Sequence, residues 1–161
     1  MRYFAFIVCL TVPSWALAGT YKIPEEDPIV TVKVSDKWKT QEHEEFLETV
    51  SPDGNANALV LPVEGNKVAE CMSEAIRHIR LRGGVMVKTK SIKQETAKLN
   101  ERDVPTVSWD ATDHGRPMKI RCYVFTGRDQ RRVIIMTWGA GEIEKKNAAE
   151  LTRMLETIRT H

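Results

Sequence analysis

The chain has 161 residues, with 24 lysines and arginines against 22 aspartates and glutamates and a formal net charge of +2. This length suits one ordinary domain with a sizeable hydrophobic core. Nucleic-acid binding needs concentrated positive charge, so the near-balance of charges argues against it. Beyond the N-terminal segment no apolar run is long enough to cross a membrane, and no basic amphipathic helix is evident. We therefore expect no nucleic-acid partner and no membrane span after processing.

The first eighteen residues have the pattern of a cleaved secretion signal. Arg2 precedes the apolar run Tyr3–Val12, and Ala16-Leu17-Ala18 has the small-x-small pattern that signal peptidase reads. The run is too short for a membrane-spanning helix, which needs ~20 residues. We predict that residues 1–18 are a signal peptide cleaved between Ala18 and Gly19. The product is then exported, most simply to the periplasm of a Gram-negative bacterium.

The mature part begins with a polar segment and continues with strand patterns. Residues 19–28 hold two prolines and an acidic triplet, which predicts a flexible leader. Residues 29–161 are predicted to form a single globular domain. Its first strands are expected at residues 29–34, near 45–50 and at 58–63, with a tight turn at Ser51-Pro52-Asp53-Gly54 between the last two.

Two helices and further strands complete the predicted domain. Apolar spacing predicts a helix from Asn66 to about residue 82, which Gly83-Gly84 ends. Residues 85–99 predict one long strand, and shorter strands follow at residues 104–111, 117–126 and 132–138. A last helix is expected from about Glu142 to Thr160. The pattern predicts an α+β fold in which about six strands form a mostly antiparallel central sheet with helices packed on its faces.

Three segments carry a family resemblance through their order. A short strand leads through a turn to a tryptophan in Val34-Ser35-Asp36-Lys37-Trp38, and the Ser51–Gly54 turn follows. The third is Leu-Asn-x-x-x-Val-Pro-Thr-Val at residues 99–107, followed by a glycine-containing turn, two apolar strands and a helix. This order resembles the Mog/PsbP-like fold superfamily, which includes exported bacterial proteins of the DcrB type.

The resemblance implies an α/β/α sandwich and a binding module with no catalytic motif to carry over. Members of the superfamily include a Ran-binding protein, extrinsic photosystem subunits and chaperones for secretion effectors. We therefore predict a non-enzymatic protein whose partner is another protein. Three more specific roles stay open: immunity against a secreted toxin, assembly or maintenance of an envelope complex, and binding of a small ligand or metal.

One cluster contains residue types that ligate metals. Asp110, Asp113 and His114 offer oxygen and nitrogen donors close in sequence. However, Asp113-His114-Gly115 also fits a turn between two strands, and a metal site needs several converging donors. We predict that the protein holds no metal and no cofactor.

Other polar groups also lack a catalytic arrangement. His43 lies among Glu42, Glu44 and Glu45, a charge run more typical of a solvated strand edge than of an acid–base set. Gly139-Ala140-Gly141 lacks the full glycine fingerprint of a phosphate-binding turn. We therefore interpret this segment as the joint between a strand and a helix. We therefore predict no catalytic residues.

Aromatic and basic residues are the remaining candidates for partner contacts. Trp38, Trp109 and Trp138 are expected in the core, because tryptophans are highly buried on average. A basic cluster at a predicted hairpin tip suits either an acidic partner or solvent. Its members are Arg128, Arg131 and Arg132.

Cys71 and Cys122 remain after signal cleavage and are a disulfide candidate. Both lie on the apolar sides of predicted elements, and an even pair in an oxidising compartment is consistent with a bridge. Closing a loop of about 50 residues would stabilise the fold by up to ~4 kcal/mol in the chain-entropy model. The alternative is two small buried side chains that never meet.

We expect the exported protein to show no free thiol when it is denatured without reductant, because the two cysteines are bridged. Thiol titration under denaturing conditions measures this directly. Two titratable thiols would refute the bridge.

Overall fold

A computed structural model describes residues 19–63, 68–81, 84–127 and 131–161. The predicted signal peptide, with Ala18 at its end, lies outside these residues. In chain order the elements are β1 (Gly19–Ile23), β2 (Val30–Val34), β3 (Lys39–Glu42), β4 (Leu47–Val50), β5 (Ala56–Val63), α1 (Val68–Leu81), β6 (Val85–Val87), a 3₁₀ turn (Thr89–Ser91), β7 (Lys93–Leu99), β8 (Arg102–Asp113), β9 (Arg116–Thr126), β10 (Arg132–Ala140), α2 (Gly141–Glu156) and β11 (Arg159–Thr160).

The described strands form two antiparallel sheets. The larger has eight strands in the order β3-β4-β5-β10-β9-β8-β6, and β7 also pairs with β8. The twelve-residue β8 has room for both, since β7 pairs with residues 102–108 and β6 with residues 111–113. The smaller sheet has the order β1-β2-β11. The predicted mostly antiparallel sheet is thus confirmed, with more strands than the sequence indicated.

The larger sheet is buried on both faces near its centre. Along β10, Val133 and Ile135 belong to one core cluster, and the alternate residues Ile134 and Met136 belong to the other. All four are fully buried. Side chains alternate between the faces of a strand, so each face of β10 needs its own covering layer.

The two covering layers differ in kind. On one face, Met72, Ala75 and Ile79 of α1 pack against the sheet. On the other face, Met154 and Leu155 of α2 join apolar residues of β1 and β2 in the same cluster. One layer is therefore a helix, and the other combines a helix with the three-stranded sheet.

The predicted flexible leader is wrong for its first half. Gly19–Ile23 is β1, which pairs with β2 in the register Tyr21↔Val32. Tyr21 is 6% exposed and Ile23 is 1% exposed, so burial of alternate residues holds this segment in the fold. The prolines and acidic residues that suggested a loose segment lie between β1 and β2.

The predicted long strand at residues 85–99 and the predicted end of the last helix also need correction. The segment is split into β6, the 3₁₀ turn and β7, because the hydroxyl of Ser91 bonds to the backbone of Lys88 and Asp110. The helix ends at Glu156, and the chain continues into β11. Ile158 is buried as predicted but lies beyond the helix.

A turn at the far edge of the large sheet explains where α2 ends. Asn100 and Glu101, between β7 and β8, both have positive φ, at 48° and 64°, as a two-residue hairpin of the primed type requires. The Asn100 amide donates a hydrogen bond to the carbonyl oxygen of Glu156 at 2.6 Å. This contact satisfies one of the carbonyls that a helix end leaves unpaired and fixes the β7–β8 hairpin against the opposite layer.

The predicted Ser51–Gly54 turn joins β4 to β5 and has a polar centre. The buried Ser51 hydroxyl accepts hydrogen bonds from the amides of Asn55 and Ala56 and donates one to Asp53 Oδ1 at 2.6 Å. Asp53 also faces Lys146 Nζ at 3.2 Å. The Ser51 hydroxyl, with smaller contributions from Lys146 and the Asn55 amide, holds the pKa of Asp53 well below its ordinary value of 3.8.

We expect acid to weaken the fold through Asp53. A carboxylate with a depressed folded-state pKa stabilises the protein above its unfolded pKa, and this stabilisation is lost as the pH falls through the folded value. Stability should therefore decline as the pH drops below about 4, and Asp53→Asn should flatten that decline. Urea unfolding at a series of pH values measures it, with the exposed Asp36→Asn as control. An equal flattening in both variants would contradict the assignment.

Candidate functional site

A groove runs between α1 and the outer strands of the large sheet. Helix α1 packs over β5, β9, β10 and β6 and leaves the same face of β7 and part of β8 open. The groove has a volume of about 610 Å³. It is lined by Ala69, Met72, Ser73, Ile76, Thr89, Ile92, Gln94, Glu95, Thr96, Pro105, Thr106, Val107 and Trp109.

The helix wall is one stripe of α1. Ala69, Met72, Ser73 and Ile76 recur at three- and four-residue spacing, which places them along one side of a helix. Met72 is buried, while Ala69 and Ser73 are exposed. The Ser73 hydroxyl donates a hydrogen bond to the carbonyl oxygen of Ala69 at 2.9 Å. The stripe thus offers small side chains with their polar group already bonded.

The floor is made by alternate residues of β8 and their neighbours on β7. Pro105, Val107 and Trp109 share one face of β8 because strand side chains alternate. The register places Gln94 beside Val107 and Thr96 beside Pro105. Trp109 is 2% exposed, so it supports the floor from below.

Charges of both signs flank the outer side of the groove. Lys88, Lys90, Lys93 and Lys98 are all exposed and lie on or beside β7, and Lys98 lies across from Asp103 of β8. The charged residue that lines the groove is Glu95. Ile92, which precedes β7, is 51% exposed and adds an apolar side chain to the lining.

The candidate metal residues lie elsewhere, in and beside the turn between β8 and β9. His114 and Gly115 have φ of 45° and 80°, so they form the turn that the sequence offered as the alternative. His114 Nε2 lies 3.8 Å from Asp113 Oδ1, and these side chains are 81% and 52% exposed. Within the described ranges no three His, Cys, Asp or Glu side chains lie close enough to hold a metal ion.

His43 packs against an aromatic neighbour. Its ring stacks on Phe46 with centroids 4.1 Å apart, and Phe46 also meets His78 edge-on at 5.6 Å. His78 Nε2 lies 3.7 Å from Glu74 Oε1. This cluster joins the β3–β4 turn to α1 on the side away from the groove.

Of the two cysteines that could form the predicted disulfide, the structure describes the side chain of Cys122. Cys122 is a buried free thiol in the layer between the sheet and α1, and burial raises the pKa of this thiol. The side chain of Cys71 lies outside the described part of the chain. The bridge is not formed in this structure and stays a prediction for the oxidised protein.

The three tryptophans are buried, and Arg131 of the basic cluster has an acidic partner. Trp38, Trp109 and Trp138 are all buried, as expected, and the Trp38 indole N–H donates to Glu150 Oε2 of α2 at 2.6 Å. Arg131 Nη1 lies 3.0 Å from Asp27 Oδ2. Arg132 lies at the start of β10, and Arg128 is outside the described residues.

Gly139-Ala140-Gly141 is the joint where β10 ends and α2 begins. A Cβ on Gly139 would lie 2.7 Å from the carbonyl oxygen of Asn55, so close backbone approach explains this glycine without an anion.

Sequence reasoning did not identify the groove. Ala69 and Ser73 show no motif, and Ile92, Gln94 and Thr96 fall within the predicted strand at residues 85–99. The available signal was the pairing of an apolar stripe with small exposed residues on α1. Whether this stripe lines a groove depends on which strands α1 covers, and only the tertiary structure shows that.

Comparison with known proteins supports the fold. No protein-family model and no curated protein matches the chain. The structure is similar to that of the PsbP protein CyanoP from Synechocystis, with a TM-score of 0.59, 8% identity and 98% of both chains covered. It also matches a Bacteroides thetaiotaomicron protein, with a TM-score of 0.59 and 11% identity, over 91% of this chain but only 49% of that chain.

A third similar structure is the Ran-binding protein Mog1p of Saccharomyces cerevisiae, with a TM-score of 0.49, 10% identity and 89% and 96% of the two chains covered. The similarity to CyanoP shows that the chain has a PsbP-like fold. In the described part of the chain, neither helix has the length and apolar character needed to span a bilayer.

We expect removal of divalent cations to leave the stability unchanged, because Asp113 and His114 serve as turn residues. Thermal unfolding with and without EDTA measures this, with His114→Asn as the matched variant, since asparagine tolerates positive φ. A lower midpoint in EDTA that zinc restores in the wild type but not in His114→Asn would establish a metal site here.

Proposed function

We propose that this protein is a small, exported, non-enzymatic binding module that acts in the bacterial periplasm by holding another protein in the groove beside α1. The observation that carries the proposal is an apolar groove next to a strand edge that no described strand pairs. Export is supported by the signal-peptide pattern of residues 1–18.

The groove exposes apolar surface that a partner would cover. Ile92 of the groove is 51% exposed. Ile76 and Pro105 add apolar surface from the helix wall and the floor. Contiguous apolar surface with a polar rim is typical of interaction sites, and covering it removes apolar area from water at a gain of ~25 cal/mol per Å².

A protein partner fits this groove better than a small ligand does. Small-molecule pockets of ~300–1,000 Å³ place a few polar groups so that they converge on the ligand. Here the Ser73 hydroxyl is bonded to Ala69, and the Thr106 hydroxyl donates to the carbonyl oxygen of Val104 at 3.1 Å. Two of the hydroxyls of the wall and floor are therefore already used within the protein, which favours apolar contacts along the groove.

Two roles fit such a module. An immunity-type protein would cover a toxin delivered into the periplasm, and small size, export and a binding surface suit that task. An envelope assembly factor would bind a resident complex through the same surface. The immunity role is our primary proposal, and the two differ in what occupies the groove.

Site-specific photo-cross-linking tests the proposal. A photoreactive amino acid replaces Ser73 in the groove wall or Glu70 on the solvent face of the same helix turn, and the cross-linked products from the native periplasm are identified by mass spectrometry. We expect one protein to cross-link from position 73 and not from position 70, because the partner lies in the groove.

The identity of the captured protein then separates the roles. For a toxin, adding the wild-type protein should suppress its activity, and Ser73→Trp, which fills the groove, should not. A resident envelope component would favour assembly. Equal cross-linking from both positions, or none from position 73, would refute the groove as the partner site.

A further inference from the structure

We infer that the amino group of Gly19, once signal cleavage frees it, is the hydrogen-bond partner of the buried Tyr21 hydroxyl, so that processing completes the fold. This inference rests on the export part of the proposed function and does not depend on the groove. Proteolytic removal of a segment is one of the local changes by which proteins switch state. Here the contact that changes lies at the first residue of the folded domain.

Tyr21 places a polar group in the core. The residue is 6% exposed and belongs to the same core cluster as Val32 of β2 and Met154 of α2. Its hydroxyl oxygen is itself buried, and among the described residues no group forms a hydrogen bond with it. A buried hydroxyl without a partner destabilises a fold, so this oxygen is a place where an added donor stabilises the protein.

The ring of Tyr21 lies against Gly19. Side chains two residues apart in a strand share a face, and glycine leaves its share of that face empty. A Cβ on Gly19 would lie 3.1 Å from Tyr21 Oη and 3.0 Å from Tyr21 Cζ. The ring therefore occupies the space into which any other residue at position 19 would direct its side chain.

Signal cleavage changes what the nitrogen of Gly19 can do. In the precursor this nitrogen belongs to a planar peptide bond with Ala18, and the preceding chain fixes its direction. In the processed protein it becomes an amine that is largely protonated at neutral pH. Rotation about the Cα–C bond of Gly19 then carries the amine among the tetrahedral positions around the α carbon.

One of these positions is the place where a Cβ would lie. That place is 3.1 Å from Tyr21 Oη, which is within the range of an N–H···O hydrogen bond. Gly19 and Val34 are the terminal pair of the β1–β2 register, so the rotation leaves the rest of the pairing in place. The freed amine can therefore donate to the hydroxyl while β1 stays in the sheet.

Two requirements thus meet at one residue. Glycine at position 19 makes room for the Tyr21 ring, and the predicted cleavage after Ala18 makes the same residue the N-terminus. Because β1 begins at Gly19, the predicted cleavage site directly adjoins the first strand. A chain that keeps even one residue of the signal peptide should therefore be less stable than the processed chain.

A double-mutant cycle tests this inference, because it isolates the coupling between the amine and the hydroxyl. Four proteins are compared by thermal unfolding: the chain that begins at Gly19, the chain that begins at Ala18, and each of the two with Tyr21→Phe. The phenylalanine removes the hydroxyl and keeps the ring. Tyr123→Phe, which removes a hydroxyl from the large sheet, is the matched control in both chains.

We expect the added Ala18 to lower the unfolding midpoint by roughly 5 °C, the effect of one hydrogen bond to a charged group in a domain of this size. Tyr21→Phe should lower the midpoint of the chain that begins at Gly19. It should not lower that of the longer chain, where the hydroxyl has no donor to lose. Tyr123→Phe should change both chains equally.

Other outcomes separate this inference from the proposed function. Equal effects of Ala18 with and without the Tyr21 hydroxyl would overturn the contact. Intact-mass measurement of the exported protein determines its N-terminus, and a product that begins at another residue would also overturn the inference. In both cases cross-linking from position 73 still tests the groove. Coupling in the cycle without any cross-linking from position 73 would support the N-terminal contact and refute the groove.

Discussion

Burial of β10 on both faces is the constraint on which the rest of the structure depends. Val133 through Met136 are all fully buried, so the central strand needs a covering layer on each side. A helix is about 10 Å across and strands are ~4.8 Å apart, so a single helix cannot cover an eight-stranded sheet. Helix α1 packs over β5, β10, β9 and β6, and β7 with part of β8 remains open on that side. The groove exists because one helix is narrower than the sheet on which it packs.

On the opposite face several elements share the covering layer. Met154 of α2, Ile23 of β1 and Val32 of β2 belong to one core cluster. Asn100 and Arg102 from the outer hairpin bond to the carbonyls of Glu156 and Ile158 at the end of this layer. The outer hairpin is thus held firmly from one side while its other side faces the groove. A strand edge held in place suits binding, since the site is formed before the partner arrives.

The similarity to CyanoP concerns the fold alone, since identity is 8%. Folds of this kind do not determine function, so the proposed role depends on features of this chain: Ser73, Ile92 and Thr96 in the groove and the lysines along β7. An open strand edge is a hazard that proteins reduce with charge, especially lysine. The lysines of β7 would therefore discourage self-association through this edge.

The sequence by itself determined the α+β class, most strands, the Ser51–Gly54 turn and the His114-Gly115 turn. Local signals sufficed there, because apolar periodicity and positive-φ residues act over a few positions. It missed β1 and β11, since Tyr21 and Thr160 lie in short segments whose strand character depends on β2. It also missed the groove. Ala69, Thr96 and Pro105 become a site only when α1 packs over β10, and that placement follows from long-range burial that no local pattern encodes.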